Sequence, residues 1–401
     1  MLTKGEIQDK TIQGTQSWSQ NLDRTRERMS TRKRKADVLA DIEEKKKNFR
    51  HEYDHERLRS RCDYTFLMRL GGGSFGELYM GRSPRGERVA MKVERHDHNC
   101  KYSSPQLRHE YKVYRELVGC KGFANIYYYG SLEESNVMVM DLLHMSLEDR
   151  FHKSDKQFSL RTILHIADQM IERAETLHSR HLIHRDIKVR LSSNDIISAS
   201  ASAFPPSFFT STNFPFPSFF LPQPANFMLG PQFGPHADIL YCIDFGLSKR
   251  YRDPVTEKHI LHRKGRSLTG TPRYASINNH LGVEQSRRDD LESIAYVLIY
   301  LIRGSLPWQG MHADTPQKKY RMILKTKQDT TVEELCRDMP VEFGEMLEYA
   351  RGMRFDEEPD YKMLRKKFKN LYNARGFGAP AAAAAGGGYY SSTYWDWGSG
   401  H

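Results

Sequence analysis

The pattern of apolar and polar positions divides the chain into four parts. Residues 1–63 are polar and charged. Their sparse apolar positions (Val38, Leu39, Ile42, Phe49, Tyr53, Leu58) fall in a Glu/Lys/Arg-rich stretch from Ala36 to Arg59. That pattern predicts a basic, partly helical extension, solvated or bound to a partner, with no core of its own. From Tyr64 the pattern becomes globular. Strand-like runs surround Leu67–Leu70, Glu77–Met80, Arg88–Glu94 and Val137–Asp141, and a helical stretch, Gln106–Val118, lies between them. From Ser146 the reading is mainly helical, over Leu160–Ser179, Arg288–Leu301 and Pro340–Arg351. A strand-rich small lobe followed by a helical large lobe is the expectation, an α+β class. Residues 377–401 are rich in Ala, Gly, Tyr and Ser and read as a disordered tail.

Composition narrows this picture. With 401 residues and 38% hydrophobic content the chain can bury a large core, which excludes wholesale disorder. Its longest strongly apolar run, Ala295–Ile302, is far too short to span a bilayer, and no charged and then apolar leader opens the chain. Five scattered cysteines without CxxC pairs argue for a reducing compartment and against a disulfide framework or a zinc site. The net charge of +11 and pI near 9.2 favour acidic partners. The Arg32–Lys35 tetrad reads equally as a nuclear import signal or a solvated charge run. A cytoplasmic or nuclear location, no membrane, no stable nucleic-acid partner and a monomer are the resulting expectations.

Gly71-Gly72-Gly73-Ser74-Phe75-Gly76 fits G-x-G-x-x-G between two strand-like runs. Such glycines let backbone N–H groups approach phosphates, though a plain hairpin turn reads the same way. Val89-Ala90-Met91-Lys92 follows, a strand whose lysine suits the α- and β-phosphates. That lysine needs a carboxylate; Glu110, in the following helix, is the candidate, with His109 and Glu116 weaker neighbours. His184-Arg185-Asp186 supplies an aspartate to orient a hydroxyl and take its proton, and Lys188 a cation for the transferring phosphoryl group. Asp244-Phe245-Gly246 supplies a magnesium-binding aspartate. Each tripeptide is common alone; the five in this order form the protein-kinase signature set.

Longer motifs narrow the resemblance. Leu268–Asn278 ends in Ser-Ile-Asn where most kinases carry A-P-E. With Glu284–Ser293, Gly304–Gly310, Pro105–Leu107 and Ser146–Asp149, residues 64–376 resemble the casein kinase 1 family of serine/threonine kinases. The resemblance implies a bilobal protein-kinase fold, with an N-lobe at 64–140, a hinge at 141–144 and a C-lobe at 145–376. It implies ATP and Mg2+ as cofactors. Gly71, Gly73, Ser74, Phe75, Gly76, Leu78, Ala90, Lys92, Met140, Asp141 and Leu143 would surround the nucleotide, with Met140 as gatekeeper. Asn226 and Asp244 would hold the metal, Thr271 would brace Asp186 and Lys188, and Asp290 would anchor the catalytic loop. Substrates would be proteins with acidic or phosphorylated residues near the acceptor Ser/Thr. Arg273 and Lys319, with Arg185, Lys249 and Arg266 nearby, would receive that negative charge.

One segment breaks the pattern. The kinase loop H-R-D-x-x-x-x-N places its asparagine five residues after the aspartate, yet Pro224-Ala225-Asn226 comes 40 residues after Asp186. Removing residues 189–223 restores the spacing. These 35 residues hold 7 of the chain's 20 Phe, 5 of its 17 Pro and only two charges, Arg190 and Asp195. A genuine insertion, a disabling regulatory loop and a retained intron all account for it. Codon possibilities favour the intron. Val189-Arg190 can be encoded by GTACGT and Gln223 by CAG, the usual splice ends. Thr212-Asn213 can carry a branch-point sequence, and the Phe/Pro/Ser/Leu run is pyrimidine-rich in its codons. The 401-residue form is thus expected to be inactive or poorly soluble, and the 366-residue form active. The rival reading is a pseudokinase or scaffold.

Overall fold

The computed structural model describes residues 63–73, 76–95, 106–131, 135–189, 226–231, 236–377 and 395; from Thr65 on they lie within one unit, Thr65–His401. The helix expected over Ala36–Arg59 lies outside these residues, as do Ser74, Phe75, 190–225 and all of the tail except Phe377 and Trp395. Five strands form the small lobe's sheet: β1 (Thr65–Gly73), β2 (Gly76–Arg82), β3 (Arg88–Arg95), β4 (Ile126–Ser131) and β5 (Ser135–Asp141). They pair antiparallel in the order β1-β2-β3-β5-β4. Directly paired residues share a face of the sheet. Leu78 pairs with Lys92, and Ala90 with Met140, so these four expected nucleotide contacts line one face.

Gly76 closes the β1–β2 hairpin opposite Gly73 with φ +130, and a Cβ there would lie 2.2 Å from the Val93 carbonyl oxygen. Only glycine fits that approach. Helix α1 (Gln106–Glu116) packs on the sheet, burying Leu107, Glu110, Val113 and Tyr114. Its first amides, at Gln106 and Leu107, donate to Glu94 Oε1 at 2.7 and 3.2 Å. A carboxylate there satisfies otherwise orphaned donors and suits the positive end of the helix dipole.

The large lobe begins at α2 (Leu147–Lys153), where the Ser146 hydroxyl accepts the Asp149 N–H as a helix cap. Helix α3 (Leu160–Ser179) follows. Four short strands then form two ribbons: β6 (Leu182–Ile183) with β9 (Lys249–Arg250), and β7 (Phe227–Leu229) with β8 (Leu240–Cys242). Helices α4 (Ile277–His280), α5 (Arg287–Arg303), α6 (Pro316–Asp329), α7 (Val332–Leu335), α8 (Val341–Gly352) and α9 (Tyr361–Ala374) complete the lobe. Helix α5 carries the apolar run and is buried from Leu291 through Leu301, packed by α3 and α8. A helix apolar on all sides belongs in the centre of a core. No helix among the described residues is long and apolar enough to cross a membrane.

Among the elements that the sequence pattern did not single out are β4, α6 and α9. β4 is a run of half-buried, largely aromatic residues without clean alternation. Helix α6 is dominated by Lys, Arg and Gln and buries only Ile323 and Lys327. In α9 the buried positions Tyr361, Leu364, Phe368 and Leu371 do carry helical spacing, which the surrounding cations mask. The tail is corrected at one position: Trp395 is buried, its ring 4.7 Å from that of His165 on α3. An indole gains from leaving water whatever its neighbours' composition.

Candidate active site

Four loop segments meet between the lobes. His184–Lys188 follows β6, Asn226 precedes β7, Asp244-Phe245-Gly246 follows β8, and the Gly270–Ser276 segment runs in before α4. Ribbon pairing sets their spacing. The Ile243 N–H donates to the Asn226 carbonyl at 2.9 Å, so Asn226 and Asp244, the expected metal ligands, stand side by side at the ends of adjacent strands.

The Lys92 ammonium lies 2.6 Å from Glu110 Oε2 and 3.4 Å from Asp244 Oδ1. Glu110 is thus the partner of Lys92. The two weaker neighbours face elsewhere: His109 Nε2 meets the Ser248 carbonyl at 2.9 Å, and Glu116 pairs with Arg250. Burial disfavours the Lys92 charge, but the Glu110 and Asp244 carboxylates outweigh it and hold the pKa above the ordinary lysine value. Burial likewise opposes ionisation of Asp244, yet Lys92, then Lys188, keeps its carboxyl below the usual range.

Asp186 is buried and held from three sides. Its Oδ1 accepts the N–H and hydroxyl of Thr271 at 2.8 and 2.9 Å, and its Oδ2 lies 2.6 Å from Lys188 Nζ. Asn226 Nδ2 donates to the Asp186 carbonyl at 2.5 Å. Asp186, Lys188, Thr271 and Asn226 therefore meet at one point, while Lys92 and Glu110 meet Asp244. Gly270 has φ +81, and a Cβ there would lie 2.5 Å from the Arg185 carbonyl oxygen, so glycine is needed beside the loop.

Asp290, at the start of α5, accepts the backbone N–H groups of His184 and Arg185 at 2.8 and 2.9 Å and a bond from His178 at 2.9 Å. Arg185 has φ +68, a conformation an arginine adopts only when its surroundings impose it. Burial opposes the Asp290 charge, but His178, then His184 and the Arg185 amide, overcome it and hold the pKa below the ordinary carboxylate value. Its contribution is therefore full above that value and lost as pH falls through the depressed one. Asp290→Asn is expected to lower unfolding stability by on the order of 3 kcal/mol, read by urea denaturation at neutral pH.

Phe245 packs inward, its ring centroid 4.8 Å from Tyr114, 5.4 Å from His184 and 6.0 Å from Phe123. Gln106 Nε2 donates to the Gly246 carbonyl at 3.0 Å. Helix α1, and with it Glu110, is thereby tied to the loop that carries Asp244. Leu143 packs with Ile239 and Tyr241 below the sheet face, and Asp141 is bonded to Asn125 and Tyr127 across β4.

The residues fit a magnesium ion. Asn226 Oδ1 is buried and accepts no hydrogen bond among the described residues, while Asp244 is held ionised beside it. Two protein oxygens suit Mg2+, which fills its remaining positions with water and phosphate. No cluster of three or more His, Cys, Asp or Glu suited to a metal occurs among the described residues.

The five expected phosphate contacts fall into two groups. Lys249 and Arg266 pair with Glu284 at 2.8 and 2.9 Å, and Arg185, nearby, donates through Nε to the Leu247 carbonyl. Burial opposes the Glu284 charge, yet Lys249 and Arg266 hold it below the usual range. Glu284 opens one of the family-like motifs, but the motif does not reveal its pairing with these two cations. Arg273 lies over the Tyr274 and Tyr300 rings, and Lys319 is exposed on α6. No hydrogen bond or ion pair joins these two to Glu284 among the described residues.

The family model described as protein kinase domain matches residues 64–198. The fold is that of a protein kinase domain. The match runs through the glycine hairpin, Lys92, Glu110, Asp186 and Lys188, and stops inside the 189–223 segment. The kinase domain supports a phosphotransferase that uses ATP, with protein as the acceptor. Of the interrupting segment, Val189 is described and buried in the core. Beyond it, the Asn226 N–H donates to the Lys188 carbonyl at 3.4 Å, so these two residues on either side of the interruption meet.

Proposed function

We propose that this protein is a serine/threonine kinase with a casein kinase 1-like preference, transferring the γ-phosphoryl group of ATP to Ser or Thr near acidic or phosphorylated residues. The observation that carries it is the Asp186 carboxylate, one oxygen held by Thr271 and the other facing Lys188, with Asn226 and Asp244 alongside. The Asp186 Oδ2 orients the acceptor hydroxyl and takes its proton. Lys188 meets the charge developing on the transferred group. Lys92, fixed by Glu110, orients the α- and β-phosphates. Mg2+, when held by Asn226 and Asp244, supplies neutralisation of phosphate charge. Catalysis is otherwise positioning and electrostatics. The Ser-Ile-Asn segment and its companion motifs support the family preference, and the clustered cations support an anionic substrate.

The test is phosphate transfer from ATP and Mg2+ to peptides with serine, threonine or tyrosine acceptors, with and without an upstream phosphoserine. Transfer to serine or threonine, stronger with the upstream charge, is expected; transfer confined to tyrosine overturns the reading. The double change Arg273→Ala with Lys319→Ala is expected to lower kcat/KM for the phosphorylated peptide by about tenfold, the worth of one charge-assisted bond. The unphosphorylated peptide should change much less.

A further inference from the structure

The segment that presents Thr271 to Asp186 is held from below by a lysine the catalytic set does not include. Lys327, on α6, is fully buried. Its ammonium donates to the Pro272 carbonyl at 3.0 Å and to the Ala275 carbonyl, and lies 3.4 Å from His280 Nε2. The rings of Tyr296 and Trp308 lie 4.7 and 5.1 Å from it. Among the described residues no carboxylate bonds to it. Glu292 attracts it from α5 but spends its own oxygen on the Ile277 N–H and the Tyr296 hydroxyl.

Such a lysine is expensive. A buried ammonium without a carboxylate is strongly disfavoured, and an apolar side chain of similar length fills the same space more cheaply. Burial pulls the Lys327 pKa down to about 7. What the lysine supplies and methionine cannot is donors aimed at two carbonyls of one short segment. Trp308 Nε1 holds a third, that of Arg273, at 2.7 Å, and the Ser276 hydroxyl donates to Asp289 at 2.5 Å. The Tyr274 and Ala275 amides fold back on the Thr271 carbonyl at 3.1 Å each. Thr271 is therefore the free end of a clamped turn, and its N–H and hydroxyl are what reach Asp186.

We propose that Lys327 is a positioning residue for phosphoryl transfer: by pinning the Pro272 and Ala275 carbonyls it sets Thr271 against Asp186. This rests on the kinase reading above. Three other groups act on the same ammonium or segment. His280, whose pKa burial and then Lys327 lower to about 4, is neutral and meets the Pro272 carbonyl at 3.1 Å. Arg351 from α8 repels the ammonium, and Asp289 from α5 anchors Ser276.

The test compares Lys327→Met and Lys327→Arg with the unmodified protein, both with and without residues 189–223. Lys327→Met is expected to lower kcat for serine phosphorylation by about tenfold or more while KM for ATP moves by less than about twofold, since Thr271 touches Asp186 and not the nucleotide side. Lys327→Arg keeps the donors and should recover most of the rate. A Met variant with unchanged kcat overturns the proposal, as does equal loss in the two variants. Amide exchange supplies a readout that needs no activity. In the 401-residue Met variant the Thr271, Tyr274 and Ala275 amides should exchange about tenfold faster while α5 is unchanged, and equal exchange overturns the proposal. Should the Met variant lose α5 protection as well, the unmodified chain decides. There the three amides should be protected like those of α5, and exchange about a hundredfold faster than α5 overturns the clamp. If no unmodified form transfers phosphate, the kinase reading fails, and the exchange result still judges Lys327.

Discussion

Asp186→Asn is expected to lower phosphate transfer to a serine peptide by on the order of 10³-fold, the worth of a positioned general base. The residue is buried and its two oxygens have separate tasks. Oδ1 is committed to Thr271, and asparagine can keep that acceptor. Oδ2 faces Lys188 at 2.6 Å and, in the proposed reaction, the incoming hydroxyl. An amide NH2 there cannot take a proton, and it turns donors toward the Lys188 ammonium. Lys92, Glu110 and Asp244 are left intact, so ATP affinity should change by less than about threefold. Radiolabel transfer gives the rate, and calorimetric titration gives the affinity. A variant within tenfold of the parent would remove Asp186 from the chemistry.

Deleting residues 189–223 is expected to raise that rate by a factor on the order of 10 to 100. The hydrogen bond from the Asn226 N–H to the Lys188 carbonyl already spans the two ends. Once the segment is removed, Lys188-Pro224-Ala225-Asn226 are consecutive, and that contact becomes the closing bond of a four-residue β-turn. Proline then stands at the second turn position, where it is favoured. With the segment present, the same contact closes a loop of 37 residues between Lys188 and Asn226. Loop-closure entropy sets the difference at about 2 kcal/mol, roughly thirtyfold in the population with Asn226 pinned on Asp186. The lost burial of Val189 works the other way, and Pro224 takes its place beside Lys188. The deletion also removes seven Phe, so the shorter form should stay soluble at higher concentration. Equal kcat for the two purified forms would refute the prediction. Sequencing the mature transcript across codons 188–224 tests the intron reading separately; a message that still encodes the segment ends it.

Much of the fold was legible because its signals are local. β3 carries the buried apolar residues Val89, Ala90, Met91 and Val93 around Lys92, α3 and α5 carry long apolar periodicities, and Ser146 is a helix cap within its own turn. The elements that escaped are those whose burial is supplied from outside. β4 is a strand because β5 pairs with it, and Trp395 is buried because α3 offers a surface. The candidate catalytic residues were legible as spaced motifs, each needing one residue type for one task. Their supporting partners were not. Glu284, Glu94 and Lys327 are ordinary charged residues in the sequence, and each is defined only by what it meets: two cations, a helix N-terminus and a pair of carbonyls.

The sequence by itself determined the chemistry available: a lysine, an acidic residue in the next helix, two aspartates and an asparagine, in an order and with neighbours that resemble one kinase family. Tertiary structure decided whether they meet. Asn226 stands 40 residues from Asp186, yet it is held there because β7 pairs with β8, and β8 leads directly into Asp244. Thr271 reaches Asp186 because Lys327, Trp308 and Asp289 clamp the segment behind it. Motif spacing records what neighbouring residues can do together; contacts between residues far apart in sequence are set by which surfaces the folded core brings face to face.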